Sequence, residues 1–261
     1  MKQYIVDAFA DKLFTGNPAA VVPCKRMPEP DLMQKIAMEN NYSETAFVVK
    51  KSCGQYDLKW YTPGGEIDLC GHATLATAFV LHKFADKGVS EMHFYTLSGE
   101  LIVRADGDGY TMDFPVGETK PIPVTDAIRE ATKELAKEAL YDGGDMVVIV
   151  DDEIALKNFV PDGEQIKKLD GLGLIMTARS QQCDFVSRCF YPKLNVLEDP
   201  VTGRAHTYTA PIWIKKIGKE CLFARQLSSR GGAMTVRCKG DRVYLTGKVQ
   251  LFMEGNLSLD L

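Results

Sequence analysis

Three short stretches hold residue types that can move a proton or bind an anion. Glu44 sits in the run NNYSETAF, Cys70 and His72 flank a glycine in Leu69-Cys70-Gly71-His72-Ala73, and Glu198-Asp199-Pro200-Val201-Thr202-Gly203-Arg204-Ala205 joins an acidic pair to a glycine and an arginine. Each glycine is followed by a helix-like segment, ATLATAFVLHKF after the first and YTAPIWIKKIG after the second. A helix start presents unpaired backbone N–H groups at the positive end of the helix dipole, so a glycine corner there can bind a carboxylate or an enolate oxygen. The same residues also admit a plainer account. Each glycine then only turns a strand into a helix, Asn41 or Ser43 caps a turn with Glu44 as a first-turn acid, His72 is a structural hydrogen-bonder, and Asp199-Pro200 is an Asp-Pro turn.

Composition narrows the partners. The chain has 261 residues, 45% of them hydrophobic, enough for one large core or two smaller ones. A net charge of -4 with scattered Lys and Arg leaves no basic footprint, so nucleic acid is not expected as a partner. Apolar stretches such as Ala73 to Leu81 and Met146 to Val150 are too short to span a bilayer, and MKQYIVDAF lacks a signal-peptide core; no membrane association is expected, and a cytoplasmic location is. Seven cysteines without a CxxC pair read as reduced thiols, and four histidines without HxxxH or HxxE spacing point to no metal.

The elements that must position these residues occur twice. Gly99 to Met112 (GELIVRADGDGYTM) lies over Gly232 to Leu245 (GAMTVRCKGDRVYL) at an offset of 133, and both read as strand, Gly-Asp turn, strand. At the same offset PEPDLMQKIA from Pro28 lies over PDGEQIKKLD from Pro161, each a proline-led, acid-first helix start. Gly71 and Gly203 are 132 apart. Alternations such as YIVDAF, DLKWYT, ELIVRA, DFVSRCF and RVYLTG predict strands, and the broad apolar face of ATLATAFVL predicts a helix enclosed by its lobe. A boundary is expected near FPVGETKPIPV, where three prolines interrupt the pattern.

Taken together, Phe14-Thr15-Gly16-Asn17-Pro18-Ala19-Ala20-Val21-Val22, Ser43-Glu44-Thr45-Ala46-Phe47, Asp68-Leu69-Cys70-Gly71-His72-Ala73-Thr74 and Glu198-Asp199-Pro200-Val201-Thr202-Gly203 resemble the PhzF-like phenazine-biosynthesis family, which belongs with the diaminopimelate epimerases and proline racemases. Ala224-Arg225-Gln226 and Ser229-Arg230-Gly231-Gly232 look like the family too. The resemblance implies an α+β fold of the diaminopimelate-epimerase type: two pseudo-symmetric lobes, each a curved antiparallel sheet around a central helix, with the site in the cleft between them. The lobes are expected at residues 1–116 and 117–249, with 250–261 returning to the first. It further implies a homodimer, a small anionic carboxylate substrate, and neither cofactor nor metal.

What the resemblance implies for single residues is an isomerase that moves a proton on a small carboxylic acid. Glu44 would take and return the proton, in apolar surroundings that Ala46 and Phe47 are placed to supply. His72 would polarise or orient as a neutral ring, because a cationic imidazole is disfavoured at a helix N-terminus. Asp199 matches the family's active-site aspartate. Cys70, Gly71, Ala73, Thr202, Gly203 and Arg204 would bind the substrate. The family usually has serine at the position of Arg204, which could read a second acidic group or fill the site. Asn195 replaces a common glycine, and asparagine tolerates the positive φ a turn requires. Cys70 stands where cofactor-independent racemases of this fold carry a thiol, but Val201-Thr202-Gly203 has no second one, so a two-thiol racemase is not expected. An amino-acid racemase or epimerase with a non-thiol partner, and a carboxylate-binding protein without catalysis, are the alternatives.

Overall fold

Runs rich in Val, Ile, Tyr and Phe, punctuated by Gly and Asp, form strands throughout the computed structural model, which describes residues 1–141 and 143–259. The chain divides into two units, Met1–Phe114 with Tyr244–Leu261, and Pro115–Val243.

In the first unit the order is β1 (Lys2–Ala8), β2 (Asn17–Cys24), α1 (Pro30–Asn40), β3 (Glu44–Ser52), β4 (Gln55–Thr62), β5 (Gly65–Ile67), α2 (Gly71–Val80), β6 (Glu91–Thr96), β7 (Gly99–Asp106) and β8 (Gly109–Pro115). In the second it is β9 (Lys120–Ile122), α3 (Asp126–Thr132), β10 (Glu138–Tyr141), β11 (Asp145–Val150), α4 (Glu153–Asn158), α5 (Gly163–Lys167), β12 (Gly173–Arg179), β13 (Phe185–Tyr191), β14 (Val196–Asp199), α6 (Gly203–Ile217), β15 (Cys221–Gln226) and β16 (Gly232–Lys239). β17 (Arg242–Gly247) carries the chain back, and β18 (Val249–Asn256) pairs antiparallel with β1 from Lys2↔Asn256 to Ala8↔Val249.

The sheets are mixed, which corrects the expectation of purely antiparallel ones. Parallel pairs need a crossover, and helices supply it. β2 and β3 pair in parallel across α1, and β4 and β6 across α2. In the second unit β11 and β12 pair in parallel across α4 and α5, and β13 and β15 across α6. The antiparallel pairs recur as well: β3–β4 answers to β12–β13, β4–β5 to β13–β14, and β6–β7 to β15–β16. The internal repeat is thus a repeat of pairing pattern. Its Gly-Asp turns place Gly107 and Gly240 at φ +61 and +62.

Helices cover both faces of the sheet in the second unit, so its central strands are buried throughout. DMVVIV in β11 is buried at every position, and FVSRCFY in β13 at all but the last. Val148, Leu174, Met176, Val186 and Phe190 pack with residues of α3, α4 and α5, and Val147, Ile175 and Cys189 on the other face pack with Ala205 and Tyr208 of α6. In the first unit Val22, Phe47 and Tyr61 pack on Met33, Ile36 and Ala37 of α1. α2 lies on the opposite side, with nearly every residue buried. At α5 the proline-led start is corrected: Pro161 lies outside the helix, and Asp162 caps it by accepting from the amides of Glu164 and Gln165.

Candidate active site

Glu44 is the first residue of β3 rather than of a helix. Asn41 instead ends α1 in the left-handed conformation, φ +51, with its amide bonded to the Ala37 carbonyl. Strand alternation puts Glu44 and Ala46 on one face and Thr45 and Phe47 on the other. Phe47 belongs to the α1 core, so of the two apolar neighbours expected to surround Glu44 only Ala46 shares its side.

Gly71 opens α2 after Cys70, whose extended backbone (φ -144) makes it the N-cap without any side-chain hydrogen bond to the helix. His72 in the first turn is buried, and its Nε2 lies 2.9 Å from Glu44 Oε2. Neither atom has another hydrogen-bond partner among the described residues. On the other edge of the ring, Nδ1 is 3.2 Å from Asn17 Nδ2 and 3.5 Å from Cys70 Sγ. A neutral ring accepts from the Asn17 amide and carries its proton on Nε2, toward the carboxylate. A charged ring requires the amide to present its oxygen instead.

The surroundings favour the charged ring, against the neutral His72 expected from the helix dipole. Burial works against the charge, but the contacts with Cys70 and Glu44 outweigh it and hold the imidazole pKa well above its usual value. A carboxylate in contact outcompetes the partial charge of a helix end. The Cys70 thiol is itself pushed up, first by burial and then by the Glu44 charge.

Asn17 reaches this site because Gly16 makes a turn that no other residue fits. Its φ is +74, and a Cβ there would lie 2.2 Å from the Ala8 carbonyl oxygen. Asn17 is fully buried and is a site residue that motif reading did not single out, although it stands in the Gly-Asn-Pro run.

The second unit builds its own corner. Thr202 is the N-cap of α6, but its hydroxyl donates to Asp199 Oδ2 rather than serving the helix amides. Gln226 closes the loop: its Oε1 accepts from the Thr202 amide at 2.9 Å, and its Nε2 donates to the Asp199 carbonyl at 2.7 Å. α2 and α6 therefore begin with amides that no N-cap side chain satisfies, as does α1 after Glu29, whereas α3, α4 and α5 are capped by Thr125, Asp152 and Asp162.

The acidic pair splits into two roles. Glu198 forms a fork with the buried Arg188, 2.7 Å to Nε and 2.9 Å to Nη2, while Arg188 Nη1 donates to the Leu156 carbonyl at 3.1 Å. Arg204 is drawn onto its own unit, with Nε 3.1 Å from the Tyr208 hydroxyl and 3.3 Å from Oδ2 of the buried Asp145. Asn195 adopts φ +60, so the turn before β14 keeps its shape. A thiol also stands near this corner, since Cys189 of β13 lies opposite Asp199. It is fully buried, and that burial pushes its pKa well up, away from the thiolate form.

The structure thus brings Glu44, Cys70, Gly71, His72 and Ala73 together in the first unit and Asp199, Thr202, Gly203 and Arg204 in the second. Among the described residues, Glu44, Cys70 and His72 also form a group able to hold a metal, with one donor atom from each all within 4.8 Å of one another.

Comparison with known proteins follows the same lines. The model of the PhzC-PhzF family, phenazine biosynthesis-like protein, matches residues 6–255. An uncharacterized isomerase of Pseudomonas aeruginosa is 47% identical over 97% of each chain. The crystal structure of a PhzF-family phenazine biosynthesis protein from Enterococcus faecalis is 44% identical, covers 99% of each chain and superposes with a TM-score of 0.95. A hydroxyproline epimerase from Agrobacterium vitis, at 11% identity, covers 98% of this chain and 91% of its own with a TM-score of 0.64, which speaks for the fold alone.

Proposed function

Since the chain belongs to the phenazine biosynthesis-like protein family, with relatives named as isomerases, we propose that it is an isomerase that moves a proton within a small carboxylic acid, using its own side chains and no cofactor. The observation that carries this reading is the Glu44–His72 pair: a carboxylate 2.9 Å from a buried imidazole, next to a helix start whose amides no side chain caps.

Glu44 removes a proton from a carbon flanked by a C=C bond conjugated with, or next to, the substrate carboxylate, and the electron pair spreads through the double bond onto oxygen as a dienolate, so that protonation at the far carbon shifts the C=C bond. Return of the proton to another carbon completes the isomerisation, and Glu44 ends as it began. The amides of Gly71 and His72 receive negative oxygen as it develops, and the charged His72 ring keeps the carboxylate placed and balances it while it is ionised. Asp199, Thr202, Gly203 and Arg204 are assigned to the same substrate, with the arginine in place of serine suited to an acid bearing a further anionic group. The protein is proposed to work in the cytoplasm and as a homodimer.

The test is proton NMR in D2O with a panel of cyclic and acyclic carboxylic acids that bear acidic C–H bonds. Exchange and isomerisation by the wild type, lost in Glu44→Gln, supports the reading. Full turnover by Glu44→Gln rules it out. Exchange with inversion at the α-carbon would instead favour a racemase, and acids that bind without exchange a binding protein.

A further inference from the structure

Glu44, Cys70 and His72 offer a carboxylate oxygen, a thiol sulfur and an imidazole nitrogen, the donor set that Zn2+ and related borderline cations take in sites with three protein ligands. Ligands at 2.0–2.3 Å in a tetrahedron stand roughly 3.3–3.8 Å apart. The donors here are all within 4.8 Å of one another, with Glu44 Oε2 against Nε2 and Cys70 Sγ against Nδ1, so the thiol must swing to the Nε2 edge of the ring before the three share one ion. His72 and Cys70 are each 6% exposed, and Glu44 Oε2 and His72 Nε2 face one another with no further hydrogen-bond partner among the described residues.

We propose that these three residues bind a single Zn2+-class divalent cation, through Glu44 Oε2, His72 Nε2 and Cys70 Sγ, and that occupancy stops the proton transfer assigned to Glu44. Binding breaks the S–H and Nε2–H bonds, releases both protons to solvent and turns the two freed electron pairs, with one from the carboxylate, onto the metal. Sγ moves from beside Nδ1 to the Nε2 side of the ring. The ring retains its Nδ1 proton, which Asn17 accepts once its amide presents oxygen, the outer-shell contact that metal-bound histidines usually have. The carboxylate lone pair needed for carbon-acid chemistry is then engaged. The inhibitory half of this proposal rests on the isomerase reading, and the binding half does not.

Co2+ is the probe for binding. Titration of the whole chain near neutral pH is expected to saturate at one equivalent, with the visible bands of four-coordinate cobalt and a thiolate-to-cobalt charge-transfer band that Zn2+ abolishes. Cys70→Ser should remove the charge-transfer band, and Glu44→Gln and His72→Gln should each weaken binding by at least about tenfold, with circular dichroism showing that the variants fold. Absence of cobalt bands, or bands unchanged in Cys70→Ser, overturns the site. If Co2+ binds as described but stoichiometric Zn2+ leaves deuterium exchange at its metal-free rate, the inhibitory half is overturned. If the metal-free protein exchanges no acid while the cobalt spectrum appears, the isomerase reading fails and the metal site stands.

Discussion

At the scale of single residues, the site divides into groups that do chemistry and groups that hold them. Replacing Glu44 with glutamine keeps its shape and removes its basicity, so the rate of deuterium exchange should fall by about 10²–10⁴, the range a positioned acid/base group contributes. Arg188 is of the holding kind. It is a buried cation in β13, balanced by the Glu198 carboxylate and the carbonyls of Leu156 and Phe159. Arg188→Ala strands Glu198 without its partner, and urea denaturation should show a loss of about 3–5 kcal/mol.

At the scale of elements, the starts of helices differ in how their amides are met. Asp162 satisfies two amides of α5, and Asp162→Ala should cost about 1 kcal/mol, visible as a fall in melting temperature of about 2–4 °C. No such loss awaits the Thr202 side chain at α6, which serves Asp199 instead. Much of this was legible in the sequence. The two glycine corners, the Gly-Asp hairpins and the repeat are local signals, and so is the motif set holding Glu44, His72 and Asp199. Asn17, Gln226 and the Arg188–Glu198 pair were not, because their roles arise from sheet register, which joins Gln226 to Asp199 across 27 residues. Burial on both faces also hid part of the pattern. β11 and β12 show no alternation from which parallel pairing could be read. The charge state expected of His72 went wrong for a related reason: its helix position is local information, while the carboxylate beside it comes from β3, a strand that no neighbouring residue announces.

At the scale of the whole molecule, acid sensitivity should trace to one histidine of α6. His206 is fully buried, with Nδ1 donating to the Thr202 carbonyl at 2.8 Å and Nε2 facing the Ser187 hydroxyl at 3.2 Å. Burial, opposed only by the bond to the Thr202 carbonyl, lowers its pKa to about 4. Between the unfolded value near 6.5 and this one, the unfolded chain binds the extra proton, so stability is complete above that range and falls as pH drops through it, by about 3 kcal/mol in all. Half-buried His93 acts in the opposite direction. Glu100 and Glu91 raise its pKa, and the stability it contributes is present at low pH and lost as pH rises through the raised value. Denaturation midpoints followed against pH should therefore show an acid limb that His206→Gln flattens and His93→Gln leaves in place. Thiol accessibility is a second global readout: Cys53 and Cys221 are exposed and should react with a disulfide reagent in the native state, whereas Cys70 and Cys189 should react only on unfolding.

β18 closes the first unit on β1, and this dictates an order of assembly on the ribosome. The second unit is one uninterrupted stretch, Pro115–Val243, and its residues have all been synthesised while the first still lacks Tyr244 onward. Strand β1 meets its β18 partner only once residue 256 has emerged, with Lys2 pairing to Asn256. The usual N-terminal-first sequence of events during translation is thereby inverted. The nascent chain carries Glu44 in an unfinished sheet until β18 has been made, and the proton transfer proposed for Glu44 must wait for that strand.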